Sequence, residues 1–597
     1  MAYFPMMTDL SGAETLVIGG GEEGTKKVRV LKDFGARVTL IAPEAREEAV
    51  READRYARRG FETADLDAAE WKLVVAATEN RELNRRISEG ARERRIPVNV
   101  VDDPELCSFI FPAVIRDRNV ICSISSGGKS PYVAQLVKEK VRGCWPEGIG
   151  RINDRMGEYR EQAKREYADR EERRRFLRER LMELLNPGTG TTGFTTALLH
   201  GGEAFPQGGT LPPVAQVNAF RYERMEDLER VFEHRQAGYA YSRIGNPTVT
   251  AFEQRINALE HGQGAVACAS GMAALTAAIL AVCRSGDEII AGRGLYGGTI
   301  DLFHDLEQLG IHTVFAEKMT GESIRPLITE KTRLVFGEVI SNPAQQVLDI
   351  PSVAAAAHEA GLPLFVDSTT ATPWLIRPLE KGADAVIHSS SKYINGGGNA
   401  IGGIIVDGGK FDWNFEKHTA LAEFRKFRRR AFMVRLRTDL WENLGGCMAP
   451  MNAFLSYIGC ETLGLRMKRI CGNAAALARV LAGISGIRVN YLGLEQHPDH
   501  ALAGSLMNGF GGILNFRAGS RERAYRIINA LKYAAIASNI GDVRTLVIHP
   551  ASTLYIRSGV QEREAAGVFD DTVRVSVGIE DPEDLIADFR RAVEAGG

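Results

Sequence analysis

Short apolar runs that end in polar residues recur along this chain, and their spacing predicts strands alternating with helices. Thr15-Leu-Val-Ile18 leads into Gly19-Gly-Gly21-Glu-Glu-Gly24 and then a charged segment, so a strand, a tight turn and a helix are expected in that order. A second strand is expected over Arg37 to Ala42. Further along, Leu334-Val-Phe-Gly-Glu338, Leu362-Pro-Leu-Phe-Val-Asp367 and Ala385-Val-Ile387 are continuous apolar runs of the kind a parallel sheet buries on both faces. Their spacing is that of βαβ units, which predicts an α/β fold. From Ile152 to Leu185, charges of both signs interleave at helical spacing. This is the pattern of a solvated helical segment, docked through Phe176, Leu177, Leu181 and Leu184. Asn186-Pro-Gly-Thr-Gly-Thr-Thr-Gly193 carries turn formers without an apolar period and reads as a linker. The expected organisation is a dinucleotide-binding Rossmann domain over 1–112 and a helical extension over 113–185. After the linker (186–193) come a large α/β domain over 194–450 and a smaller α/β domain over 451–597.

Composition changes this picture little. A chain of 597 residues exceeds one ordinary domain. With 44% apolar residues, 25% charged residues and a formal net charge of −2, neither nucleic acid nor an anionic membrane is an expected partner. Eight scattered cysteines without CxxC pairs favour a reducing compartment over a disulfide framework or zinc site, and no metal site is expected. There is no basic-then-apolar leader and no apolar run of about 18 residues, so the cytoplasm is the expected location.

The chemistry concentrates at three strand ends. Past Ile387 come His388-Ser-Ser-Ser391, a single lysine at 392 and the glycines 396–398. Burial at such a position lowers a lysine's pKa and makes its amine a nucleophile toward an aldehyde. Asn342, Asp367 and Lys392 are expected along the carboxyl edge of one sheet, where open α/β sheets place ligands. A carboxylate for a pyridinium nitrogen and an amine for an aldehyde are what pyridoxal phosphate asks of a protein.

These residues resemble the Cys/Met-metabolism group of fold-type I pyridoxal-phosphate enzymes, over roughly 194–597. The resemblance implies a cofactor held covalently on Lys392, with Asp367 against the ring nitrogen and Asn342 beside it. Ser270-Gly271-Met272, Ser389 and Ser391 would surround the phosphate, and Tyr296 would stack on the ring. Tyr241 and Arg243, in Tyr241-Ser-Arg243-Ile-Gly-Asn-Pro-Thr248, would reach the phosphate of a neighbouring subunit, which implies a homo-oligomer, a dimer or tetramer. Arg574 and Ser538 would hold the substrate carboxylate. Gly298 stands where methionine γ-lyases carry cysteine. Leu295-Tyr-Gly-Gly-Thr299, the run Gly402 to Trp413 and Leu546 to Thr553 are most similar to the O-acetylhomoserine sulfhydrylases. That implies exchange of acetate for sulfide to give homocysteine, with Lys392 and Tyr296 as proton carriers. A γ-synthase or γ-lyase acting on cystathionine or methionine, with a non-catalytic N-terminal binding module, is the competing reading. His549 reads as a hydrogen-bonded core residue.

In the N-terminal part, Gly19-x-Gly21-x-x-Gly24 between strand and helix, with Glu44 beyond the second strand, fits NAD binding: glycines for the pyrophosphate, an acid for a ribose hydroxyl. Glu22 and Glu23 put negative charge in that loop. Val74 to Asn80, Asn99-Val-Val-Asp-Asp103, Ser108 to Pro112 and Ser125 to Pro131 resemble the precorrin-2 dehydrogenase/sirohydrochlorin ferrochelatase module of siroheme synthases, over about 1–185. The resemblance implies NAD contacts including Thr78, a catalytic Asp102 and a tetrapyrrole cleft containing Ser130. Its substrates would be precorrin-2 and, for ferrochelation, Fe2+. A helix-capping role is the alternative for Asp102.

Overall fold

The computed structural model describes residues 6–127, 129–143, 149–167, 169–185, 193–201, 209–233 and 235–596. They divide into two compact units, Met1–Pro187 and Gly188–Gly597. Most of the expected linker, 186–192, lies outside the described residues.

In the first unit, five parallel strands lie in the order Arg55–Ala57, Arg37–Ala45, Glu14–Gly20, Leu73–Ala76, Val98–Val100. The order reverses on either side of the first strand, which creates a crevice at the carboxyl ends. Val17, Val38, Leu40 and Val75 pack on one face of the sheet, and Leu16, Ile18, Ile41 and Val74 on the other. This alternation explains the apolar runs. The second strand extends to Ala45, beyond the expected end at Ala42, and so takes in Glu44. After the sheet come a hairpin, Ala113–Asp117 with Val120–Ile124, and the helix Pro131–Gly143. The charged stretch 152–185 falls within two helices, Ile149–Glu166 and Arg170–Leu185. Phe176 is the buried anchor, its ring 6.1 Å from Tyr159 and 5.3 Å from Tyr167, whereas Leu177, Leu181 and Leu184 remain partly exposed.

The second unit is built on a seven-stranded sheet. Strands His312–Ala316, Glu288–Gly292, Thr332–Glu338, Leu364–Asp367 and Ala385–His388 run parallel in that spatial order. Gly403–Asp407 follows antiparallel, and Gly264–Cys268 pairs antiparallel with it at the edge. Val335, Val366 and Val386 enter one core, while Leu334, Phe336, Phe365 and Ile387 enter the core on the opposite face. A second sheet orders Arg488–Asn490, Ile513–Arg517, Thr572–Ser576, Leu546–Ile548 and Ala535–Ile536. Its core is closed by Leu463–Ala482, Arg521–Ala530 and Pro582–Ala595.

No helix among the described residues is long and apolar enough to cross a membrane. The described cysteines are all free. No cluster of metal-ligating side chains occurs among the described residues.

Candidate active site

The carboxyl edge of the large sheet floors a cavity of about 750 Å³. Glu338, Asn342, Asp367, Ser389, Ser391 and Lys392 reach it from successive strand ends and the loops after them. Ser270, Gly271 and Met272 bring in the first turn of helix Gly271–Val282, a natural anion site. Ser270 Oγ caps that helix by accepting from Ala273 N at 3.0 Å. A Cβ on Gly271 would lie 2.7 Å from that of Ser389, so the turn sits directly against the serine loop. Ser391 Oγ in turn accepts from Gly402 N at 2.9 Å. Tyr296, Ser538 and Arg574 also line the cavity.

Charges here are handled by desolvation. Lys392 Nζ donates to Asn539 Oδ1 at 2.6 Å, and burial together with the nearby Arg574 lowers its pKa. More of it is therefore the nucleophilic free amine at neutral pH. Arg574 is 3% exposed, and its pKa is pushed down to about 10, chiefly by burial, so it stays cationic at neutral pH. Its Nη2 donates to Asn539 O at 3.0 Å and its Nη1 to Asn342 Oδ1 at 3.4 Å. The buried Nε has no partner among the described residues, and such a donor suits an incoming carboxylate. Asp367 accepts from Thr369 N at 2.8 Å, while burial raises its pKa. Burial likewise raises the pKa of Tyr296, which keeps its hydroxyl protonated.

These groups fit pyridoxal phosphate. A half-buried carboxylate without an ion pair among the described residues suits a protonated ring nitrogen, a helix N-terminus with hydroxyls suits a phosphate, and a half-buried amine suits an aldehyde. Tyr241 and Arg243 are not among the residues lining this cavity. Tyr241 is 40% exposed, Arg243 lies over its ring at 5.5 Å, and Arg243 donates to Glu442 O at 2.7 Å. His549 is a core residue, its ring nitrogens each 2.8 Å from an oxygen, Ser552 Oγ and Asp570 O. Asn539 and Thr369 escaped the reading of the sequence, and Glu338 was legible only as a strand end.

The first unit holds a second, shallower constellation. Gly19 has φ +110°, and a Cβ there would lie 2.2 Å from Ala77 O. A Cβ on Gly24 would lie 2.0 Å from Gly19 O. One glycine thus permits the turn and the other lets helix Glu22–Asp33 press on the strand, while Gly21 faces open space. Glu22 and Glu23 are drawn onto Lys26 at 2.9 and 2.8 Å, and Glu22 also lies 3.5 Å from Arg46. Lys26 and Arg46 thus locally counter the negative charge of that loop. Glu44 is exposed within its strand. Thr78 Oγ1 donates to Asn84 Oδ1 at 2.7 Å. Asp102 is exposed at φ +60° just past strand Val98–Val100. It caps no helix: Asp103 holds the N-cap of the short turn Pro104–Leu106. Ser130 Oγ accepts from Val133 N at 3.3 Å, in the first turn of its own helix.

Comparison with known proteins bears on both units. Residues 6–113 match a candidate NAD(P)-binding family. Homocysteine synthase of Schizosaccharomyces pombe is 40% identical over 67% of this chain and 98% of its own length. O-acetyl-L-homoserine sulfhydrylase of Corynebacterium glutamicum is 39% identical over 68% of this chain and 97% of its own. A candidate O-acetylhomoserine (thiol)-lyase structure from Campylobacter jejuni, solved with pyridoxyl-lysine phosphate, superposes with TM-score 0.65 at 32% identity, over 68% of this chain and all of its own. Residues 195–594 match the Cys/Met metabolism PLP-dependent enzymes, and the chain belongs to that family.

Proposed function

We propose that the second unit replaces the acetate of O-acetylhomoserine with sulfide, releasing homocysteine. The observation that carries this reading is the convergence of Lys392, Asp367 and Arg574 on one cavity, in a chain similar to enzymes named for that reaction. Pyridoxal phosphate, when bound, supplies an electron sink that acidifies the substrate's Cα–H. Lys392 would hold it covalently, and its amine, once free, would take up and return the substrate proton. Asp367 provides the anion for the ring nitrogen. Ser270, Gly271, Met272, Ser389 and Ser391 would hold the phosphate, Asn342 would contribute a further cofactor contact, and Arg574 with Ser538 would orient the amino acid by its carboxylate. Tyr296, a cavity-lining phenol, donates to the departing acetate. Tyr241 and Arg243, away from their own cavity, complete the site of a second copy in at least a dimer. Gly298 supports sulfide exchange over a methionine γ-lyase: a Cβ there would lie 2.6 Å from Tyr296 Cε1, so a cysteine would displace the ring.

The first unit, in this reading, binds NAD through Gly19, Gly21, Gly24, Glu44 and Thr78. It oxidises precorrin-2 to sirohydrochlorin at Asp102, with Ser130 in the tetrapyrrole cleft and Fe2+ as the substrate of a further chelation. Sulfite reductase uses siroheme and makes sulfide, so the two activities serve one assimilation route.

The test is a visible spectrum of the purified protein, recorded alone and with O-acetylhomoserine plus sulfide, alongside a homocysteine assay. A cofactor band that responds to substrate, with homocysteine formed, is expected. A responsive band with product only from cysteine would replace this reading with cystathionine synthesis. Titration with NAD, then precorrin-2, tests the first unit, and no NAD binding would refute its assigned activity.

A further inference from the structure

Glu338 has no part in the chemistry above, yet it lies on the cavity floor. It is the last residue of strand Thr332–Glu338, and its register partner in the adjacent parallel strand is Asp367. Directly paired residues of parallel strands project on the same side, about 4.8 Å apart. Two carboxyls are therefore side by side at the bottom of one cavity, and Glu338 is 9% exposed. Neither forms an ion pair among the described residues. Two unpaired negative charges in such a place would repel each other strongly, so one acid keeps its proton. Each acid accepts a backbone N–H, but Glu338 is the more deeply buried of the two, which favours its neutral form. Asp367 is tied at its own loop by Thr369 N. Glu338 reaches across to another segment, accepting from Tyr296 N at 2.7 Å, just where helix Gly297–Glu307 begins.

We propose that Glu338 is a positioning residue: a neutral acid that anchors the Tyr296 backbone over the cavity and leaves Asp367 as the single anion facing the cofactor ring. Burial, followed by the charge of Asp367, shifts Glu338 toward the protonated form, which agrees with this assignment. The other titratable groups around the pair are Tyr296, Lys392 and Arg574 lining the same cavity, and His388 on the strand beyond Asp367. His388 Nε2 is engaged 2.7 Å from Glu260 Oε1. A charged Glu338 would lower the affinity for the phosphate-bearing cofactor, whereas a neutral one would not. The inference rests on the pyridoxal-phosphate reading of the cavity, and wild-type protein tests that reading separately.

The experiment compares Glu338→Gln and Glu338→Ala with wild type in cofactor affinity, in the pH dependence of the visible band, and in KM and kcat for the amino acid. A thermal melt confirms folding. Glutamine keeps an oxygen for Tyr296 N without a charge, so its band, pH profile and affinity should stay within about twofold of wild type. Alanine removes the anchor and should lower kcat about tenfold, the size expected when one buried donor is orphaned, with a smaller change in KM. Glutamine failing as badly as alanine would overturn the proposal, because the charge would then be needed. Alanine matching wild type would overturn it too, because no anchoring would exist. If alanine does not fold, a shifted pH profile in the glutamine variant still refutes neutrality, and an unchanged one supports it. Absence of a cofactor band in wild type would refute the cavity reading itself, a distinguishable result.

Discussion

The two units place functional groups on the same kind of sheet edge but treat charge in opposite ways. In the first, the crevice is shaped by backbone: Gly19 and Gly24 are forced by clearances near 2 Å, while Glu44 and Asp102 stand in water. In the second, Asp367, Glu338, Arg574 and Lys392 are desolvated, and each is displaced from its ordinary protonation range. The first site therefore offers a backbone-shaped crevice rimmed by exposed carboxylates. The second stores electrostatic work in its own walls.

The sharpest way to break this contrast is Lys392→Ala. Homocysteine formation should fall by about a thousandfold or more, with the covalently held cofactor lost from the intact-mass spectrum. NAD binding at the first unit should be untouched. An active Lys392→Ala would mean that the buried amine is not the chemical centre.

Acid should expose a second cost of burial. His418 is fully buried, each ring nitrogen 3.2 Å from a carbonyl oxygen, of Asn414 or Arg333, and burial pushes its pKa down to about 4. The unfolded chain takes up that proton near pH 6.5, before the folded one does. Stability from this group is therefore complete above pH 6.5 and declines as pH falls toward 4, by up to about 3 kcal/mol. Denaturant titrations of His418→Gln at pH 7 and pH 4.5 should show a weaker acid loss than wild type.

In the first unit the sensitive change is steric. Gly24→Ala puts a methyl against Gly19 O and should destabilise the unit by about 1–3 kcal/mol. The expected readout is an earlier melting transition that NAD no longer raises, with homocysteine synthesis retained. The smallest effect is expected from Glu22→Gln. This pair with Lys26 is exposed on both sides, and its loss should leave melting nearly unchanged. A large drop there would show that solvent-side charge matters more to this crevice than its glycines do.

The sequence displayed the strand ends well because buried parallel strands are nearly all apolar, so Asp367 and the hydroxyls before Lys392 stand out. Ser270, Ser538 and Arg574 followed from the family resemblance and do line one cavity. Asn539 was not legible. It sits beside Ser538 in irregular chain, and its importance comes from Lys392 and Arg574 arriving from distant segments. Glu338 looked like a strand terminus because register, which pairs it with Asp367, is a property of the sheet. The break between Glu166 and Arg170 was hidden for a different reason: charged residues of both signs continue through it without a change of period.

The sheet order also carries a consequence for synthesis. Strand Gly264–Cys268, which delivers the Ser270–Met272 turn, lies at the sheet edge against Gly403–Asp407, with a further bridge from Cys268 to Cys447, and both partners are made well over a hundred residues later. Arg574 arrives later still, from the second sheet. The first unit closes its sheet by Val100, so it can mature on the ribosome while the cofactor cavity still lacks a wall. A nascent chain interrupted before residue 403 would have a finished sheet in its first unit, while the strand that delivers Ser270 in the second still lacked its partner.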